Sequence, residues 1–95
     1  MQPEAKLVKK IRKYLEEEGA VVFKIHGGDN PFQEVGIPDL LCCLKGIFIA
    51  IEVKMPGEQP SAAQASTLRR IARAGGYAFT AHSVGEVEEA LKGVL

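Results

Sequence analysis

The stretch Gly36-Ile37-Pro38-Asp39-Leu40-Leu41-Cys42-Cys43-Leu44-Lys45-Gly46-Ile47-Phe48-Ile49-Ala50-Ile51-Glu52-Val53-Lys54 decides how this chain folds. Two apolar runs rich in Leu, Ile and Val flank Lys45-Gly46, the pattern of an antiparallel hairpin closed by a tight loop. With a two-residue loop Leu44 faces Ile47, and counting outward along the ladder sets Asp39 opposite Glu52. A four-residue loop leaves that register unchanged. Directly opposed residues point to one face with Cβ atoms roughly 4.5–5.5 Å apart, so two carboxylates placed this way repel. Lys54 lies two residues beyond Glu52 and therefore on the same face, about 6–7 Å along. Carboxylates at that separation can share a hard divalent cation such as Mg²⁺, which takes oxygen ligands at about 2.0–2.1 Å. The ammonium of Lys54 can then hold a water or meet negative charge on a phosphate. The competing reading is an ion-pair cluster in which Lys54 bridges the two carboxylates, a weak device for stability when partly buried.

Upstream of the hairpin, Leu7, Val8, Ile11, Tyr14 and Leu15 recur on one helical face between Glu4 and about Glu18, and Gly19 ends that helix. Glu4 falls in its first turn, where the helix dipole favours a carboxylate. Ala20 to Ile25 reads as a strand beside the hairpin. Lys24, alternating with Val22 and His26, is expected to reach the face of Asp39 as a phosphate contact. Turn formers crowd His26 to Val35, which reads as a loop at the mouth of the site, with His26 and Phe32 as possible contacts.

Downstream, Met55 to Pro60 is a linker that two prolines keep from being helical. Ser61-Ala62-Ala63-Gln64 has the form of a capping box, which competes with any chemical role for Gln64. The helix it opens carries Leu68, Ile71 and Ala72 as its buried stripe and turns Arg69, Arg70 and Arg73 outward. Gly75-Gly76 ends it, Tyr77 to Ala81 is a last strand, and Ser83-Val84-Gly85-Glu86 starts another capped helix. Away from the charges both faces of the hairpin are apolar, so helices are expected to cover both.

Pro38-Asp39, twelve intervening residues and Glu52-Val53-Lys54 resemble the PD-(D/E)xK nuclease signature. More narrowly, Gly36-Ile37-Pro38-Asp39-Leu40, Ile51-Glu52-Val53-Lys54, Gln64, Leu68 and Gly75-Gly76 are similar in order to the VRR-NUC family in its stand-alone form. The likeness covers nearly the whole chain. It implies a restriction-endonuclease-like α/β fold, α-β-β-β-α-β-α, with helices flanking a mixed sheet. It further implies an Mg²⁺- or Mn²⁺-dependent deoxyribonuclease in which Asp39, Glu52 and the carbonyl of Val53 hold metal. Lys54 would position the water, Gln64 would organise the lysine or a phosphate, and Glu4 would be a third acidic residue. Stand-alone members look like junction resolvases, which implies a homodimer acting on branched or four-way junction DNA. Tyr77, Phe79 and the residues around Phe32 are candidates for its interface. The alternative is a DNA-binding module of the same fold without turnover, but such modules lose the carboxylates or the lysine, and this chain keeps all three.

Ninety-five residues make one small domain, read here as residues 1–95. Apolar residues at 46% and charged residues at 25% exclude disorder and fibres. The formal net charge is zero. Its distribution is uneven: Lys6, Lys9, Lys10, Arg12 and Lys13 crowd the first helix, and Arg69, Arg70 and Arg73 a later one. Local basic patches steer a polyanion even when the total is neutral, so these residues, with Lys24 and His26, form the expected nucleic-acid contacts. Adjacent Cys42 and Cys43 point to opposite faces of a strand, cannot form an ordinary disulfide, and read as core filler. No apolar run reaches the length of a membrane helix and the start is not a signal peptide, so the expectation is an intracellular, cytoplasmic protein.

Overall fold

The computed structural model describes residues 1–26 and 34–95. Among these residues seven elements follow in the order α1 (Pro3–Glu17), β1 (Val21–Lys24), β2 (Leu40–Leu44), β3 (Ile47–Val53), α2 (Ala62–Arg73), β4 (Tyr77–Ala81) and α3 (Val84–Ala90). The strands form one sheet in the order β1-β2-β3-β4. Its first two pairings are antiparallel and the last is parallel. This is the mixed sheet and the α-β-β-β-α-β-α order expected from the sequence.

The β2–β3 hairpin closes through Lys45 at φ 53° and Gly46 at φ 79°. Two positive φ angles in succession match a loop of type I′ character, whose twist continues that of the flanking strands. Leu44 pairs with Ile47 and Leu40 with Ile51, so the register is the one counted from the loop.

Strand alternation then separates two faces of unequal cover. Leu40, Cys42, Leu44, Ile49, Ile51 and Val53 are buried on one face. They join Val8, Ile11 and Leu15 of α1 and Val87 and Leu91 around α3 in a single core cluster. Each fully buried Leu or Ile contributes about 1.5–3 kcal/mol relative to exposure, so this face carries most of the folding drive.

Among the described residues one helix, α2, meets the other face, over β3 and β4. Leu68 is buried there, Ile71 is half-buried, and Ala72, expected in the buried stripe, is exposed. Val21 (60% exposed), Phe23 (63%) and Phe48 (46%) remain open to solvent, and so does Cys43. Full helical cover is therefore found on one face and on about half of the other. Three strand spacings of about 4.8 Å make the sheet wider than a helix of about 10–12 Å, and among the described residues only one helix lies on this side. Cys43 is correspondingly not core filler, whereas Cys42 is. No helix among the described residues is long and apolar enough to cross a membrane.

Candidate active site

Asp39 immediately precedes β2 and Glu52 is the penultimate residue of β3. The ladder brings them together. The backbone N–H of Asp39 donates to Glu52 Oε1 at 3.3 Å, and the N–H of Val53 donates to Asp39 Oδ2 at 2.8 Å. Each carboxylate is thus pinned by the backbone of the strand opposite. Lys54 Nζ lies 3.6 Å from Glu52 Oε2, with its side chain 21% exposed. The pair and the lysine converge as the register requires.

Glu52 is 2% exposed. Burial pushes its carboxyl up to about 7 from 4.5, the nearby Asp39 carboxylate adds to the rise, and the Lys54 ammonium opposes it. A buried carboxyl that ionises only near neutrality, beside a second carboxylate, is a site with too little positive charge of its own. Two oxygen donors held by backbone N–H groups, with one flank open at half-exposed Asp39, fit a hard divalent cation.

The surroundings fix the entry and exit of both strands. Gly36 has φ +84°, and a Cβ on it would lie 2.8 Å from the carbonyl oxygen of Ala63, so only glycine lets the approach to Asp39 pack on the first turn of α2. The N–H of Ile25 donates to the Asp39 carbonyl at 2.8 Å, tying the end of β1 to the same point. Beyond Glu52, the N–H of Lys54 donates to the Ala81 carbonyl at 3.1 Å. The residue immediately after Ala81, His82, anchors the turn after the lysine: its Nε2 is 3.0 Å from the Glu58 carbonyl and its Nδ1 is 3.0 Å from Glu86 Oε2. Both ring nitrogens face acceptors, the Glu58 carbonyl foremost, which raises the pKa of His82 by favouring the imidazolium.

Other expected contacts fall elsewhere. Lys24 pairs with Leu40, whose side chain belongs to the buried face, so Lys24 points toward α1 and not to the face of Asp39. Side chains alternate along β1 as expected, but the ladder sets their phase, which the strand alone does not reveal. Glu4 does not complete a three-acid cluster. Among the described residues no group of three or more His, Cys, Asp or Glu is placed to hold a metal. The helix that carries it packs on the buried face, behind the strands whose opposite face bears Asp39 and Glu52.

Gln64 sits in the capping box: its Oε1 accepts from Ser61 N at 2.8 Å, and Gln64 N donates to Ser61 Oγ at 3.2 Å. Its side-chain oxygen is therefore engaged locally. At α3, Ser83 Oγ accepts from Glu86 N at 3.1 Å, but the Glu86 carboxylate reaches His82 N, at 2.6 Å, and not Ser83. His26, Lys9, Arg69, Arg70 and Arg73 are exposed. Phe32 lies outside the described residues. Phe79 pairs with Ile51 and packs against the core, which removes it from the candidate interface. Thr80 went unremarked in the sequence; the parallel ladder sets it beside Glu52 on the same face. Its alternation with Ala78 was the available signal, but which strand it would border was not.

No family model matches the chain, and no curated protein matches it. Among solved structures it is similar to one described as a VRR_NUC domain, at 24% identity and a TM-score of 0.81, with 100% of each chain covered. The order of elements, with two carboxylates and a lysine at the end of the central hairpin, defines a restriction-endonuclease-like α/β fold. Within that class, the chain has the fold of a VRR_NUC domain.

Proposed function

We propose that the protein is a metal-dependent DNA endonuclease hydrolysing phosphodiester bonds. The observation that carries this reading is the convergence of Asp39, Glu52 and Lys54, with Glu52 buried and its carboxyl raised to about 7. Asp39, Glu52 and the carbonyl of Val53 would hold Mg²⁺ or Mn²⁺. Such an ion, when bound, lowers the pKa of a coordinated water and offsets charge on the phosphate. The chain's own groups do the rest. The Val53 N–H holds the Asp39 carboxylate in place, and the Asp39 N–H does the same for Glu52. Lys54, tethered through its backbone to Ala81, presents an ammonium that can donate to the attacking water or to a phosphate oxygen.

DNA is the proposed partner, met by the exposed Arg69, Arg70 and Arg73 of α2 and the lysines of α1. Branched DNA and a homodimer complete the proposal. One site cuts one strand, and symmetric cleavage of a four-way junction needs two sites related by a two-fold axis. The open sheet face with Val21, Phe23 and Phe48 offers the apolar surface that a second copy would cover. The protein is proposed to work inside the cell.

The test is incubation with labelled single strands, duplexes, flaps and four-way junctions in Mg²⁺ and in Mn²⁺, with light scattering alongside. Metal-dependent cleavage that prefers branched substrates, by a species of dimer mass, supports the reading. Absence of cleavage with retained DNA binding leaves the non-cleaving module of the same fold.

A further inference from the structure

Between α1 and β1 the protein carries a groove of about 650 Å³ on the side of the sheet away from Asp39 and Glu52. Met1, Ala5 and Val8 give it an apolar floor, and Lys9, Lys13 and Lys24 stand along it. Arg12 also lines it and spans it, donating to the Val22 carbonyl at 3.3 Å and to Glu16 Oε2 at 3.3 Å. Among the described residues that line it Glu16 is the one carboxylate, and Arg12 already pairs with it. The lysines therefore face outward as net positive charge over an apolar surface.

Chain direction ties this groove to the site. α1 runs away from the catalytic end of the sheet and β1 returns toward it, so Ala5 and Lys24 mark the near end and Glu16 the far end. Lys24 closes β1, and the next residue, Ile25, donates to the Asp39 carbonyl at 2.8 Å. From Ala5 to Glu16 the helix rises about 16 Å, room for a short run of a few nucleotides.

We infer that the α1–β1 groove holds an unpaired DNA strand leading to or from the cleavage site. The inference rests on the nuclease reading for its direction, and adds where the strand lies and why it must be unpaired. A duplex presents phosphates outward and keeps its bases stacked inside, so it could use the lysines but gain nothing from Ala5 and Val8. An unpaired strand uses both: phosphates meet the lysines and base faces cover the apolar floor. An acidic protein segment would match the charge, but nothing ties such a segment to the Asp39 end of the groove.

The experiment measures binding without cleavage, in EDTA, by fluorescence anisotropy. A blunt duplex is compared with the same duplex bearing a short single-stranded tail. The tail is expected to tighten binding by about tenfold or more, given stacking and phosphate contacts of the size usual for single-strand sites. Lys9→Ala with Lys13→Ala should abolish that gain and lower the salt slope for the tailed substrate by about 1.4, at about 0.7 per single-strand phosphate contact. Ala5→Glu, on a helix position that tolerates glutamate, should abolish it while thermal unfolding stays unchanged.

Equal affinity for blunt and tailed DNA overturns the inference. So does an equal loss for both substrates in the lysine variant, or a poly-glutamate peptide that binds as tightly as the tail and is lost with the same variant. Cleavage in Mn²⁺ is scored separately. A tail effect without cleavage leaves the groove standing and removes the nuclease reading; cleavage without a tail effect does the reverse.

Discussion

Replacing Glu52 by Gln in the metal-free protein tests the central electrostatic claim. The Glu52 carboxyl is raised to about 7 from 4.5, by burial first and by Asp39 second. A difference of about 2.5 units corresponds to about 3 kcal/mol at about 1.36 kcal/mol per unit. The sign follows from proton counting. Between the unfolded value and about 7, the folded protein holds a proton that the unfolded chain has lost. Stability contributed by this group is thus fully present below pH 4.5 and is lost as pH rises through about 7.

Gln cannot ionise. It keeps an oxygen for the Asp39 N–H, and the 3.6 Å contact with the Lys54 ammonium that it loses is already counted in the net rise to about 7. Above pH 7 the variant should be more stable than the parent by about 1–3 kcal/mol, a rise of about 4 °C or more in Tm for a domain of this size. In acid the two should converge. The assay is thermal unfolding by circular dichroism in EDTA across that range, read as the difference between the two proteins. His82, whose raised pKa also makes stability fall with rising pH, is common to both and cancels. A flat difference, or a parent more stable than the variant in mild alkali, would refute the reasoning. Added Mn²⁺ should reverse the order by stabilising the parent alone.

Asp39→Asn should abolish cleavage and leave the metal-free fold no less stable, since Asn can still accept from Val53 N–H while the repulsion disappears; a clear fall in Tm would contradict the paired geometry. Lys54→Ala should lose turnover and retain Mn²⁺ in calorimetric titration, and loss of metal binding would mean that the lysine has another role. Arg69→Ala with Arg70→Ala should reduce the slope of log affinity against log salt for duplex DNA by about 1.8, at about 0.9 per phosphate contact. An unchanged slope places the duplex contacts on α1. Gly36→Ala should destabilise the protein by about 1–3 kcal/mol in urea unfolding, because its φ of +84° and the 2.8 Å approach to Ala63 both resist a Cβ; unchanged stability would mean that the loop relaxes freely.

The local patterns were legible because their physics is local. Lys45-Gly46 between two apolar runs set a hairpin, and a strict period of two then left Asp39 opposite Glu52 with no freedom to slip. Ser61 and Gln64 announced their capping box in four residues, and the α1 stripe from Leu7 to Leu15 named its own buried face. What the sequence by itself determined is therefore the order of elements, the facing carboxylates and the lysine beside them. Only the tertiary structure decided which strand borders which and how far each helix reaches. Lys24 turned toward α1 because its phase depends on pairing with Leu40, a partner sixteen residues away. Phe23, Phe48 and Cys43 stayed exposed because, among the described residues, a single helix covers only half of that face. Glu4 stayed apart from the pair because α1 packs behind the sheet, and Glu52 became hard to ionise because the packed fold buries it and sets Asp39 beside it. Pairing and cover are sums over the whole chain, and no window of residues contains them.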